Sequence, residues 1–292
     1  KPSSPRGRIK KNIMKILDNL KDGQQVLKAN NIPSYKIDCE ILMSQILNIS
    51  REEVLLNLEK EIKKEEIDRY FNLINRRKKK EPIAYITNDK SFWRDKFITN
   101  KNVLIPRPDS EHLVEQTLKI IKKNQSKRIL DVGVGSGCLS ISILKERLFC
   151  KCDAIDLSKN ALKLAKINAN LHQLLDRIKF YKRDIDNFYN HKYDLIISNP
   201  PYINKHKIKY LGSINYEPKI ALDGGLDGLD VIRKIISKSK YLLKNNGKLI
   251  LEIGHDQKYK VINFLKNKNF FINKTIKDYG NNIRCIVSTK IN

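Results

Sequence analysis

The stretch Tyr193-Asp194-Leu195-Ile196-Ile197-Ser198-Asn199-Pro200-Pro201-Tyr202 decides how this chain is read. Its first six residues form an apolar run with the length and composition of a strand buried on both faces. Two prolines, which lack an N–H and fix φ, then stop the sheet abruptly. Asn199 and Tyr202 are therefore expected at the carboxyl end of a central strand, where open α/β sheets hold their ligands. The same four residues also fit a plain strand-ending turn, so the rest of the chain has to choose.

Around this stretch, strand and helix patterns alternate. Strands are expected at 128–132, 153–156, 178–181, 193–198 and 248–253, with two terminal strands at 270–276 and 283–289. Helices are expected over 138–145, 159–171, 228–244 and 256–266. This alternation predicts a doubly wound α/β sheet occupying 109–292.

Residues 14–80 read as a small all-helical domain. Ile16, Leu17 and Leu20 start a helical stripe at Met14, and Pro33-Ser34 opens a second helix. Ser50 and Glu53 have capping-box spacing for a third, and Ile67, Tyr70, Phe71 and Ile74 repeat at helical intervals in a fourth. Residues 81–108, rich in aromatic and β-branched side chains, form a hairpin-like connector. It closes with Pro106-Arg107-Pro108, a stiff turn that holds Arg107 in one place, and Asp109 is placed to cap a helix over 110–123. Residues 1–13, basic and without apolar period, read as a disordered leader, with Met14 as the natural start.

The loop Gly133-Val134-Gly135-Ser136-Gly137 follows the first strand of the sheet and opens a helix. Glycines let backbone approach a ligand closely, and the helix N-terminus behind them favours a carboxylate. The spacing is one residue shorter than the dinucleotide fingerprint, and no lysine follows in P-loop position. Asp156, ending the second strand, can hold both hydroxyls of a ribose. Asp184 after the third strand can accept from an adenine amino group, with Ile185 against the ring. Carboxylate, ribose and adenine together describe S-adenosylmethionine. A nicotinamide dinucleotide domain is the competing reading, and it leaves Asn199-Pro200-Pro201-Tyr202 unexplained.

That tetrapeptide suits methylation of a planar nitrogen. The lone pair of an amide or exocyclic amine is delocalised, and a site that accepts both its N–H hydrogens can aim the lone pair outward. The Asn199 side-chain carbonyl and the Pro200 main-chain carbonyl offer two acceptors. Pro201 stiffens the turn, and Tyr202 offers a flat face to a planar substrate group.

At this point the chain resembles the HemK/PrmC family of N5-glutamine methyltransferases acting on peptide chain release factors. The resemblance covers nearly everything from Met14 onward. It rests on Leu104-Ile105-Pro106-Arg107-Pro108-Asp109-Ser110-Glu111, on the loop from Asp131 to Gly137 and on Asn199-Pro200-Pro201-Tyr202-Ile203. Glu217-Pro218-Lys219-Ile220-Ala221-Leu222-Asp223-Gly224-Gly225-Leu226-Asp227-Gly228-Leu229 and Leu251-Glu252-Ile253-Gly254-His255-Asp256-Gln257 complete it. It implies methyl transfer from S-adenosylmethionine to the glutamine of the Gly-Gly-Gln loop in class 1 release factors. Asn199, Pro200 and Tyr202 would act in catalysis, and Pro201 and Arg107 would join them in holding substrate. Gly133, Val134, Gly135, Ser136, Gly137, Asp156, Asp184, Ile185 and Asn199 would hold the cofactor. The helical domain would help dock the release factor. Ile185 stands where family members often carry an aromatic residue.

Composition sets the remaining bounds. Five cysteines are scattered without zinc spacing, and the histidines form no ligand pair, so no metal is expected. No apolar run nears the roughly 18 residues of a membrane span, and a cytoplasmic, membrane-free protein is expected. The net charge of +26 has two explanations. One is a weak contact with RNA or the ribosome; the other is drift in a Lys-, Ile- and Asn-rich composition. The run Arg76-Arg77-Lys78-Lys79-Lys80 likewise fits a solvated helix end or an RNA contact. Two other functions compete with glutamine methylation. A nucleic-acid N6-adenine methyltransferase faces the same nitrogen chemistry with a flipped base, and a non-catalytic translation-factor-binding module would retain the fold alone.

Overall fold

Tyr193–Ser198 is a strand in the computed structural model, which describes residues 14–210, 216–278 and 280–291. The leader expected over residues 1–13 lies outside the described residues. The chain divides into two compact units after Thr87. This boundary falls inside the segment expected as a connector, so 81–87 group with the first unit and 88–108 with the second.

The first unit comprises β1 (Met14–Lys15), α1 (Ile16–Ala29), α2 (Tyr35–Leu47), α3 (Arg51–Leu56), β2 (Glu61–Ile62), α4 (Lys64–Lys78) and α5 (Ile83–Thr87). Met14 does not begin the helix, as its stripe suggested. It pairs with Ile62 and Lys15 pairs with Glu61 in a two-residue antiparallel ladder. The reason lies at the start of α1, where N–H groups have no partner inside the helix. Ile16 and Leu17 donate instead to the carbonyls of Lys60 and Leu58, at 3.0 and 2.9 Å. The capping box of α3 forms: Ser50 Oγ accepts from the Glu53 N–H at 3.1 Å, and Glu53 Oε2 accepts from the Ser50 N–H at 2.7 Å. Ile16, Leu20, Leu27, Leu42, Met43, Tyr70 and Ile74 form one buried cluster. Part of the basic run at the end of α4 is engaged internally: Arg77 pairs with buried Asp38 at 2.7 Å and Arg76 with Glu81 at 2.6 Å.

The second unit begins with the hairpin β3 (Asp89–Phe92) and β4 (Asp95–Ile98) and continues into α6 (Glu111–Ile120). Asp109 does not cap that helix. Pro108 opens a 3-10 turn over Pro108–Ser110, which moves the helix start past Asp109, and no side chain caps α6. The Asp109 carboxylate lies instead 3.6 Å from Arg284 Nε.

Then follow β5 (Arg128–Val132), α7 (Cys138–Glu146), β6 (Lys151–Asp156), α8 (Lys159–Leu171), β7 (Ile178–Lys182) and β8 (Tyr193–Ser198). The unit closes with α9 (Asp230–Leu242), β9 (Leu243–Glu252), α10 (Lys258–Asn267), β10 (Phe270–Lys277) and β11 (Ile283–Lys290). The seven long strands make one sheet in the order β10-β11-β9-β8-β5-β6-β7. The five from β7 to β9 are parallel, and β11 and β10 continue the sheet antiparallel. Along β8 the side chains alternate between two cores. Leu195 and Ile197 join one with Ile129 and Ile250, while Ile196 joins the other with Leu130, Leu249 and Leu251. Each such side chain taken from water contributes about 1.5–3 kcal/mol, so both faces drive the strand inward. That is why the run is uniformly apolar rather than alternating.

Gly23 in α1 supplies a test of the first unit's packing. A Cβ there would come within 2.4 Å of the Tyr70 hydroxyl oxygen and 3.1 Å of Cζ. Gly23→Ala gains about 1 kcal/mol of helix propensity, whereas overpacking a core costs about 1–3 kcal/mol. The expected net effect is destabilisation in urea unfolding, with Gly23→Ala/Tyr70→Phe more stable than Gly23→Ala alone. A Gly23→Ala protein as stable as the parent would refute this account of the α1–α4 contact.

Candidate active site

The carboxyl ends of five parallel strands meet along one edge of the sheet, each carrying chemistry-bearing residues. β5 leads into Gly133–Gly137, β6 ends in Asp156, β7 leads to Asp184 and Ile185, β8 leads into Asn199–Tyr202, and β9 ends in Glu252. Strand order reverses at β5, which lies between β6 and β8. Such a switch point opens a crevice between diverging connections. Here it is a cleft of about 450 Å³, lined among others by Gly133, Gly135, Asp156, Asp184, Asn199 and Pro200. That volume falls within the usual range of small-molecule sites.

Gly133 and Gly135 have φ of +78° and +55°, where side-chain-bearing residues are strained. A Cβ on Gly133 would meet nothing within 4 Å, so bare backbone faces open space. Val134 and Ser136 also line the cleft. Gly137 works differently from the sequence expectation. It is not a lining residue, and a Cβ there would press on Ile141 Cδ1 at 3.0 Å and Ala165 Cβ at 3.4 Å. Its smallness lets α7 and α8 pack together.

The Asp156 carboxylate accepts from the Gly135 N–H at 3.0 Å and the Ser158 N–H at 2.8 Å, one on each oxygen. Each oxygen keeps a lone pair for a ligand hydroxyl. Burial pushes its carboxyl above the ordinary range. Asp184 caps a short turn by accepting from the Asp186 N–H at 2.9 Å, and Lys234 Nζ stands 3.9 Å from its other oxygen. Ile185 is buried in the cleft wall. Two residues before the glycine loop, Asp131 is wholly buried, and burial pushes its carboxyl up to about 7 against the opposing pull of Ser140. A buried acid of this kind is costly, and it lies behind the residues that line the cleft. Open glycine backbone and a carboxylate with lone pairs to spare fit a nucleoside joined to an amino acid.

The Asn199 turn is held by distant stretches of chain. Asn199 Nδ2 donates to Ser110 Oγ at 2.8 Å, and Ser110 Oγ is 2.5 Å from buried Glu252 Oε2. Tyr202 is not a lining residue of the cleft. Half-buried, it packs against the core, and its hydroxyl donates to Glu252 Oε1 at 3.2 Å, so it braces the turn instead of lining the cleft. Gln257 donates to the carbonyls of both Tyr202 and Gly228 at 3.0 Å and accepts from the Gly254 N–H at 2.9 Å. Ile203 exchanges main-chain bonds with Leu222 and Gly224 at 3.0 and 2.9 Å. A Cβ on Gly228 would meet the Tyr202 carbonyl oxygen at 2.5 Å, so the glycine is required where the two loops touch. Arg107 lines the cleft with Nη2 2.5 Å from buried Glu217, which also accepts from the Ile105 N–H at 3.0 Å.

Sequence reasoning assigned no role to Ser110, Glu217, Glu252 or Gln257. All four lie in stretches that carried the family resemblance, but Ser110 and Glu252 stand 142 positions apart, and no local spacing links them. Among the described residues no group of His, Cys, Asp and Glu could hold a metal ion, and no helix is long and apolar enough to cross a membrane.

Comparison with known proteins gives consistent results. A family model described as PrmC N-terminal domain matches residues 18–87, and one described as Methyltransferase small domain matches 110–213. The release factor glutamine methyltransferase of Clostridium acetobutylicum is 40% identical over 282 residues, covering 95% of this chain and 99% of that protein. Its counterpart in Buchnera aphidicola subsp. Schizaphis graminum is 38% identical, with 91% and 96% covered. A bifunctional methyltransferase of Rickettsia typhi is 36% identical, and the match covers 96% of this chain but 58% of that protein. Among solved structures, the ribosomal protein L11 methylase of Lactobacillus delbrueckii subsp. bulgaricus superposes with a TM-score of 0.51 at 17% identity, covering 70% of this chain and 90% of that one. At that identity the likeness is one of fold.

The buried acid ahead of the glycine loop has a pH signature. A carboxyl raised by burial favours the folded state below its unfolded pKa, near 4, and that contribution is lost as pH rises through about 7. Asp131→Asn removes the buried charge. The variant's stability advantage over the parent should therefore grow from pH 5 to pH 8 and then level off, read as urea midpoints without ligand. A difference that stays flat with pH would show that Asp131 does not titrate there.

Proposed function

The chain belongs to the release factor glutamine methyltransferase family, and on that premise we propose that it methylates the side-chain amide nitrogen of the glutamine in the Gly-Gly-Gln loop of class 1 release factors. One observation carries this reading: the acceptors of the Asn199-Pro200 turn line the same cleft as Gly133, Gly135 and Asp156. A planar nitrogen delivered to the turn would thus stand beside a methyl donor held by the glycine loop.

S-adenosylmethionine, bound in that cleft, supplies an electrophilic methyl group. The residues fitted to hold it are Gly133, Val134, Gly135 and Ser136 along its amino-acid part. Asp156 would take its ribose, and Asp184 with Ile185 its adenine. The work on the acceptor falls to the Asn199 turn. The Asn199 side-chain carbonyl accepts one N–H of the glutamine amide and the Pro200 carbonyl accepts the other. Held this way, the amide loses resonance and its lone pair is directed at the methyl carbon. Most of the rate gain comes from positioning, which is worth up to about 7–11 kcal/mol in well-oriented reactions. No strong base is needed beforehand: the amide nitrogen becomes acidic as it gains the methyl group and releases one of its two protons to water, while the thioether leaves with the electron pair of the broken S–C bond. Arg107, tied to Glu217, faces the incoming substrate loop. The helical unit would provide a docking surface for the release factor in the cytoplasm, and the basic run at the end of α4 would make a weak contact with RNA.

Labelled S-adenosylmethionine, offered with a release factor, its Gly-Gly-Ala variant or duplex DNA, tests the proposal. Label is expected on the unmutated factor alone. Label on DNA and none on the factor would replace this reading with adenine N6-methylation. Asn199→Ala should lower transfer by roughly 100-fold or more while cofactor affinity stays within about threefold; turnover at the parent rate would remove Asn199 from its role.

A further inference from the structure

An asparagine can serve the substrate only if its oxygen, not its nitrogen, faces the substrate's N–H. The two ends of the amide are nearly equal in size, so packing alone does not choose between them. Hydrogen bonding chooses. Asn199 Nδ2 lies 2.8 Å from Ser110 Oγ, and Ser110 Oγ lies 2.5 Å from Glu252 Oε2. Ser110 and Glu252 are both buried, so water does not compete. Ser110 has one hydroxyl proton, and the charge-assisted bond to a carboxylate is the stronger use for it. With that proton committed, Ser110 Oγ offers only lone pairs to its other neighbour. Asn199 must then present its NH₂ to Ser110. A reversed amide would set Asn199 Oδ1 against the serine lone pairs.

We propose that Ser110 and Glu252 form a directional relay that fixes the orientation of the Asn199 amide and so keeps its carbonyl oxygen toward the substrate nitrogen. Both are positioning residues, and the proposal rests on the assignment of Asn199 as substrate acceptor. The sheet builds the relay. Ser198 of β8 is opposite Leu251 of β9 in parallel register, so Asn199 and Glu252 are the next residues along neighbouring strands. The turn over Pro108–Ser110 brings the serine to them. Tyr202, in the same tetrapeptide as Asn199, donates to the second Glu252 oxygen at 3.2 Å. One carboxylate therefore organises both ends of the turn.

The relay runs in this direction only while Glu252 is ionised. Burial pushes its carboxyl up to about 7; the hydroxyls of Ser110 and Tyr202 and the cation of Arg284 on β11 oppose the rise, and Asp109 adds to it. The thiols of Cys285 on β11 and Cys138 on α7, both raised by burial, also feel its charge. A protonated Glu252 donates to Ser110, which frees the serine proton for Asn199 Oδ1 and lets the amide reverse. Transfer should therefore rise with pH through the neutral range, with an acid limb set by Glu252.

The test is the pH profile of kcat, with cofactor affinity measured alongside, for the parent, Ser110→Ala and Glu252→Gln. The parent is expected to show an acid limb with its midpoint between about pH 6 and 8. Ser110→Ala should lose roughly 100-fold in kcat, keep cofactor affinity within about threefold, and lack the acid limb. Glu252→Gln has no proton to lose; it should keep part of the rate, because its amide can still turn an oxygen to Ser110, and it should be flat with pH. A merely structural role would slow the variants but leave the limb in place, and that outcome overturns the proposal, as does a parental rate in Ser110→Ala. Should Ser110→Ala also lose cofactor binding, the Glu252→Gln profile decides: flat supports the relay, an unchanged limb refutes it. If the parent methylates DNA in place of the release factor, the substrate assignment falls. The same profiles then read the relay on DNA, since an exocyclic amine needs the same acceptor.

Discussion

A turn with two consecutive prolines cannot hold its own shape by main-chain bonding, because neither Pro200 nor Pro201 has an N–H to give. Its geometry must be imposed from outside, and Gln257 does much of this. Its amide reaches the carbonyls of Tyr202 and Gly228 and closes on the Gly254 N–H, so three loops are pinned by one buried side chain. A satisfied buried amide of this kind is directional and expensive to break. With Ser110 and Glu252 on its other side, the turn is held from both ends.

The same dependence extends to the loop that follows Glu217, part of which lines the cleft. Gly224 bonds to Ile203 and is crowded by Gly228, Gly225 is crowded by Asp230, and Gly228 by the Tyr202 carbonyl, so none has room for a side chain. Glu217, at its start, holds Arg107 and the Ile105 N–H together. The methyl-donor half of the site follows from strand ends and a glycine loop, a common solution in open α/β sheets. The acceptor half is a scaffold of loops tied by buried polar groups.

Charge plays a more local role than the net +26 suggests. Arg77 is used inside the helical unit against Asp38, and Asp194 at the start of β8 gathers Lys127, Lys244 and the Arg128 N–H. The partly exposed pairs at Asp194 orient elements more than they stabilise them, since such pairs contribute about 0–1 kcal/mol each.

Short-range patterns in the chain specify the alternation of strand and helix, the end of β8 just before Asn199, the capping box of α3 and the glycine loop after β5. Each depends on neighbours within a few positions: apolar runs, prolines, Ser50 with Glu53. Asp109 shows the limit of that reach, since Pro108 one residue earlier shifted the helix start and left Asp109 beside Arg284. Long-range contacts settle that Tyr202 braces the turn instead of lining the cleft, that Gly137 serves helix packing, and that Ser110 meets Glu252 across 142 positions. Those outcomes turn on which buried donor finds which acceptor after the sheet has ordered its strands. Pairings of that kind leave no period in the chain.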